Sequence, residues 1–210
     1  MKYFTLSIFI FISLTIAAYS QEDIGEESSL EFSLSAGIPF SYTPEEFSDG
    51  WKQGRNIGIG GGLVFPAGDL GYSTVYLTIE NANFSYDEAG LAEWKTRHGI
   101  ALQSSHDDLN VTSFFIDYKG TFAGSRNSIA PYFLIGIGVN SVADESAYLI
   151  DSVGTPINDI KDGLGIAWRA GAGIDVPLVE SLAIFGEGKF IVAVNKFQYF
   201  TLGGGIRWKL

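Results

Sequence analysis

The stretch Leu30-Glu31-Phe32-Ser33-Leu34-Ser35-Ala36-Gly37-Ile38-Pro39-Phe40-Ser41-Tyr42 alternates from end to end. Leu30, Phe32, Leu34, Ala36, Ile38, Phe40 and Tyr42 fall on one side. Glu31, Ser33, Ser35, Gly37 and Ser41 fall on the other. Successive side chains of a β-strand point to opposite faces, so a period of two marks a strand with one apolar and one polar face.

Seven further segments downstream repeat the pattern. They are Asn56 to Phe65, Ser73 to Ala82, Val111 to Phe122, Pro131 to Asn140, Gly165 to Val176, Leu182 to Val192, and Tyr199 to Leu210. In the sixth segment, for example, Ile166, Trp168, Ala170, Ala172, Ile174 and Val176 oppose Arg169, Gly171, Gly173 and Asp175. The connections alternate in length. Pro66 to Asp69, Ala123 to Ser128 and Pro177 to Ser181 carry the Pro, Gly, Asn and Asp signals of short turns. Thr43 to Arg55, Asn83 to Asn110 and Ser141 to Gly163 are longer and polar, and of these alternate connections only the last, near Asn195-Lys196, is short. An even strand count with short turns on one side and long loops on the other predicts an all-β fold. It is an eight-stranded antiparallel up-and-down transmembrane β-barrel over 30–210, with the long loops outside the cell.

Composition agrees. Charged residues make up 18%, below the ~25% of soluble domains. Cysteine is absent, which excludes disulfides, thiolate metal sites and a lipidated N-terminal cysteine. A net charge of −11 argues against nucleic-acid binding. At the N-terminus, Lys2, an apolar run from Tyr3 to Ile16, and Ala18-Tyr19-Ser20 form the three parts of a secretory signal. The expected domains are a signal peptide over 1–20, a short acidic periplasmic segment over 21–29, and the barrel.

Alternation does not say which face is inside. A soluble barrel with an apolar lumen for an apolar ligand alternates too. Two features favour lipid outside. The polar faces are mostly Gly, Ser and Thr, which suit a crowded interior better than a solvated exterior. Aromatics on the apolar faces gather near strand ends, at Phe40, Tyr42, Phe65, Tyr118, Phe122, Trp168, Phe200 and Trp208, as girdles at two headgroup levels do.

Pro131-Tyr132-Phe133 leading into Gly136-x-Gly138 resembles the fifth strand of the outer-membrane β-barrel domain family, the small OmpA/OmpX-type barrels. Gly203-Gly204-Gly205-Ile206-Arg207-Trp208-Lys209-Leu210 resembles its closing strand, although the chain ends on Leu210 rather than an aromatic. The resemblance implies an outer-membrane location, membrane lipid as surroundings, and insertion machinery that reads the C-terminal strand.

No motif for chemistry emerges. Gly58 to Gly62 does not fit a nucleotide-binding loop. His98 and His106, with Asp107 and Asp108, lack fixed metal-ligand spacing and read as loop surface. No serine–histidine arrangement falls on the strands, so neither catalytic residues nor a cofactor are expected, and the chain reads as a non-enzyme. The polar-face charges Glu31, Glu80, Asp117, Lys119, Arg169, Asp175, Glu187, Lys189, Arg207 and Lys209 would point into the lumen as a structural network. The long loops carry acids (Glu45, Glu46, Asp49, Asp87, Glu88, Asp144, Glu145, Asp151) and the aromatics Phe47, Trp51, Trp94 and Tyr148, read as exposed. The expected role is structural or surface-interactive through these loops, toward an external partner the sequence does not name. A narrow pore for small or apolar molecules is the alternative.

Overall fold

The computed structural model describes residues 28–43, 45–67, 71–99, 102–104, 108–122, 128–142, 149–151, 163–194 and 197–210. The expected cleavage after Ser20, most of the acidic segment, His106, Asp107, Asp144, Glu145 and Tyr148 lie outside these residues. So do the side chains of Glu45, Glu46, Phe47 and Asp151.

In chain order the elements are β1 (Ser29–Thr43), helix α1 (Glu45–Gly50), β2 (Trp51–Pro66), β3 (Tyr72–Tyr86), helix α2 (Glu88–His98), β4 (Leu102–Ser104), β5 (Leu109–Thr121), β6 (Ala130–Val142), β7 (Leu149–Asp151), β8 (Gly163–Val179), β9 (Leu182–Ala193) and β10 (Gln198–Lys209). Eight of the strands form a closed barrel in the order β1-β10-β9-β8-β6-β5-β3-β2, each antiparallel to its neighbours. The seam joins β1 to β10 from Glu31 opposite Lys209 to Thr43 opposite Gln198. The short strands β4 and β7 pair with each other as a separate ribbon.

Register keeps the apolar faces together. Leu34, Ile59, Ile79, Phe114, Val139 and Ile166 stand opposite one another in turn across six strands. These positions face out, as do Ile38, Ile57, Ile116, Ile135 and Leu202. The soluble reading with an apolar lumen is therefore overturned. Outward aromatics form two groups. Phe32, Tyr118, Phe122, Phe133 and Trp208 lie toward the turn end, and Phe40, Tyr42, Trp168, Phe190 and Phe200 toward the loop end.

The strands run further toward the loop end than their sequence pattern suggests. β2 begins at Trp51 rather than Asn56, and β3 continues to Tyr86 rather than Ala82. The pattern failed there because the pairing of β2 with β3 shifts between Trp51 and Gly54. A bulge breaks the period of two. At the other end, Val179 pairs with Leu182, so the turn between β8 and β9 is only Glu180-Ser181.

The apolar core lies inside the loop end of the barrel. Trp51, Phe84, Leu91, Trp94, Leu109, Ile191, Phe197 and Tyr199 bury one another there. Phe84 meets Phe197 and Tyr199 edge-on, with centroids 5.3 and 5.4 Å away. Trp51 and Trp94 are thus 0% and 6% exposed, correcting their reading as solvent-facing loop residues. Trp51 closes the bulged end of β2. Trp94 and Leu91, three residues apart on α2, share the helix face that turns into the barrel mouth.

Truncating such a side chain leaves a cavity, so Trp51→Ala should cost about 3–5 kcal/mol. Urea unfolding in detergent micelles measures this. A loss close to zero is what an exposed Trp51 would give.

Candidate functional site

Alternation along each strand puts charge inside wherever its two flanking neighbours are apolar and face out. Glu31 on β1, Glu80 on β3, Asp117 and Lys119 on β5, Arg169 and Asp175 on β8, Glu187 and Lys189 on β9, and Arg207 on β10 all occupy inward positions, with side chains at most 8% exposed. Lys209 sits at the turn-end rim, opposite Glu31 in the seam.

The turn-end half of the lumen is built on two cations. Lys119 Nζ donates to Glu31 Oε1 at 2.9 Å and to Asp175 Oδ2 at 3.1 Å. Arg207 donates to Asp175, and its Nε lies 3.7 Å from Glu31 Oε1. Arg207 Nη2 also donates to the Tyr132 hydroxyl at 3.0 Å, which donates in turn to Glu187 Oε2 at 2.9 Å.

Lys189 carries the chain upward, pairing with Glu187 at 2.9 Å and with Glu80. Arg169 Nη1 donates to Glu80 Oε1 at 2.8 Å, and its Nε and Nη2 grip both oxygens of Asp117. Thr78 Oγ1 adds a bond to Asp117 Oδ2 at 2.7 Å. A forked guanidinium on a carboxylate is among the stronger polar contacts a side chain makes. The guanidinium groups also lie on rings, Arg207 3.7 Å from the Phe185 centroid and Arg169 4.2 Å from that of Phe115.

Four cations thus face five carboxylates in one connected network. Glu31 lies at the seam with β10, the strand that carries Arg207 and Lys209. Arg207 is near, but the hydrogen-bonded partner is Lys119, from a strand not adjacent to β1. An eight-stranded lumen is narrow enough for a lysine to cross. Tyr132, which links Arg207 to Glu187, went unrecognised in the sequence. Its parity with Gly136 and Gly138 on the inward face was the available signal.

Glycine makes room for these side chains. A Cβ on Gly136 would run into the Asp117 carboxylate, and Cβ atoms on Gly58 and Gly171 would lie 2.9 Å from Glu80 and Lys189 stem carbons.

Above the apolar core, α1, α2 and the first residues of β2 make a cap. Asp87 caps α2 by accepting from Gly90 N–H at 3.1 Å and pairs with Lys52 at 2.5 Å. The hydrogen bond from Lys52, helped by the Gly90 amide, holds the Asp87 carboxyl below its ordinary range. Arg97 clasps Asp49 at 2.6 Å. His98 stacks on Trp94 at 4.6 Å and places Nδ1 3.0 Å from the Trp94 carbonyl oxygen. Asp108 accepts from the Tyr86 amide at 3.0 Å. Among the described residues no three of His, Cys, Asp and Glu gather as a metal site.

The sequence matches no protein-family model and no curated protein. Solved structures do match. Neisserial surface protein A aligns over 88% of this chain and 100% of its own, with a TM-score of 0.52 at 10% identity. The outer-membrane protein OprG of Pseudomonas aeruginosa aligns over 88% of this chain and 96% of its own, with a TM-score of 0.50 at 12% identity. The fold is that of the small outer-membrane β-barrels. The outer-membrane enzyme PagL aligns over 84% of this chain and 98% of its own, with a TM-score of 0.46 at 14% identity. Identity at this level speaks for the fold alone.

Removing Arg169 would leave Asp117 facing Glu80 without its cation. Arg169→Ala should therefore cost about 3–5 kcal/mol. Glu31→Ala should cost only about 1–3 kcal/mol, because Lys119 and Arg207 both keep Asp175. Equal and small losses in urea titrations would mean that the lumen charges are hydrated rather than paired.

Proposed function

We propose that this chain is an integral outer-membrane protein with a structural or surface-interaction role, presented through its capped loop end, and that it neither conducts nor catalyses. The observation that carries this reading is the filled lumen. A connected ion-pair network occupies its turn-end half and an aromatic core its loop-end half. A conduit needs a continuous path, and among the described residues three cavities beside the network measure only about 20, 20 and 10 Å³.

The exterior supports the membrane placement. Closure pairs every barrel strand on both sides, which is the condition for a sheet to sit in hydrocarbon. An apolar band flanked by two aromatic groups is what lipid tails and headgroup levels ask of such a barrel. On this reading the surroundings are outer-membrane lipids. Insertion machinery would read the alternating Phe200, Leu202, Ile206, Trp208 and Leu210. The cap is held by hydrogen bonds and ion pairs between the first two loops, so it offers an external partner a preformed surface.

The purified protein should need detergent, migrate differently on gels before and after heating, and stay silent in planar bilayers. Steady single-channel conductance from the folded protein would sink the closed-barrel reading. Ile135, outward-facing and 53% exposed, gives an independent check on placement. Ile135→Arg should cost about 2–4 kcal/mol for a midplane position when folding is followed in lipid vesicles. No penalty would argue that this face meets water.

A further inference from the structure

Three small cavities follow one another up the inward face of β1. The first, about 20 Å³, opens among the turn-end residues Ser29, Glu31, Thr74 and Lys209. The second, also about 20 Å³, is lined by Ser33 and Ser35 with Tyr76, Glu80 and Arg207. The third, about 10 Å³, shares Ser35 and reaches Gly37, Asn56 and Thr201.

Register explains why space survives here. Ser33 and Ser35 stand opposite Gly60 and Gly58 of β2, and opposite Arg207 and Gly205 of β10. Gly37 stands opposite Gly203. Beyond Glu31, Arg207 and Lys209 near the turn end, this wall carries no long side chain, so the charges reaching in from β3, β8 and β9 do not fill it.

Residues lining the same spaces carry buried polar atoms without a hydrogen-bond partner. They are Ser29 Oγ in the first, Tyr76 hydroxyl, Glu80 Oε2 and Arg207 Nε in the second, and Asn56 Nδ2 and Thr201 Oγ1 in the third. Leaving such a group unsatisfied costs about 1–3 kcal/mol. The occupant must both donate and accept, which excludes a bare cation or anion. It must also fit a space of one or two waters, and a buried water needs 2–4 polar partners in about that volume. Beyond Asn56 and Thr201 the interior becomes the aromatic core.

We propose that a blind file of water enters the lumen from the turn end along this glycine–serine wall and stops at the aromatic core. The ion pairs are then solvated from one side only. The file rests on the closed-lumen reading and deepens it, naming what occupies the remaining space.

Hydroxyl-radical footprinting of the wild-type protein in detergent tests this, because radicals generated from bound water label the side chains that touch it. Tyr76 and Tyr199 are both buried, at 3% and 0% exposed; Tyr76 lines the second cavity and Tyr199 lines none of the three. Tyr76 should be oxidised while Tyr199 and Phe197 remain inert. Ser33→Val, which fills the second cavity on its turn-end side, should abolish labelling of Tyr76. An inert Tyr76 in the wild type overturns the proposal, as does a labelled Tyr199, since the file would then not be blind. Unchanged labelling in a folded, heat-modifiable Ser33→Val barrel also overturns it. If that variant does not fold, the wild-type comparison still decides. A conducting wild-type barrel would sink the closed-lumen reading, whereas a silent barrel with an inert Tyr76 removes the water file alone.

Discussion

Burying one ionised side chain without a partner is among the most costly things a fold can do. This barrel buries nine within an interior only about as wide as the side chains that fill it. Each cation therefore has to reach carboxylates on other strands. Lys119 on β5 reaches β1 and β8, Arg169 on β8 reaches β3 and β5, and Lys189 on β9 reaches β3. These links act as spokes between parts of the wall that share no hydrogen-bonded edge. A slip of one residue would turn a strand's charges outward and its apolar row inward, so the spokes and the sheet ladder specify the same register.

The spokes also account for the composition of the wall between them. Beside three of the luminal charges the residue on a neighbouring strand is glycine: Gly136 by Asp117, Gly58 by Glu80, Gly171 by Lys189. Interiors pack to near-crystalline density, so long and absent side chains have to alternate. These inward glycines follow from the charges they accommodate, and no nucleotide-binding loop is needed to explain them.

Period two made the architecture legible. Leu30 to Tyr42 could be read without knowing any partner, because a strand's two faces are a local property of the chain. The parity of each luminal charge was legible for the same reason. Its partner was not. Lys119 and Glu31 are 88 positions apart and Lys189 and Glu80 are 109 apart, and only closure of the barrel brings them together. The aromatic core was misread for a different reason. Trp51 lies beyond a bulge that interrupts the alternation, with exposed Lys52 and Gln53 beside it. Trp94 lies on a helix with only Leu91 and Gly90 buried beside it, too narrow an apolar face to stand out in a polar loop.

The division of the lumen into an ionic half and an apolar half follows from the lengths of the connections. A tight turn such as Glu180-Ser181 has no side chains to fold over the mouth of a barrel. The turn end must therefore finish in groups that tolerate water, and Glu31, Asp175 and Lys209 are such groups. The loops at the other end are long enough to supply helices, and α2 sets Leu91 and Trp94 over the opening. With water held off from that side, the upper pairs of Arg169 and Lys189 meet less water than the pairs at the turn end. Their attraction is stronger there, and so is the penalty for breaking them. The cap and the network thus depend on each other. The aromatic core strengthens the ion pairs beneath it, and the ion pairs fix the strands whose ends carry the aromatic core.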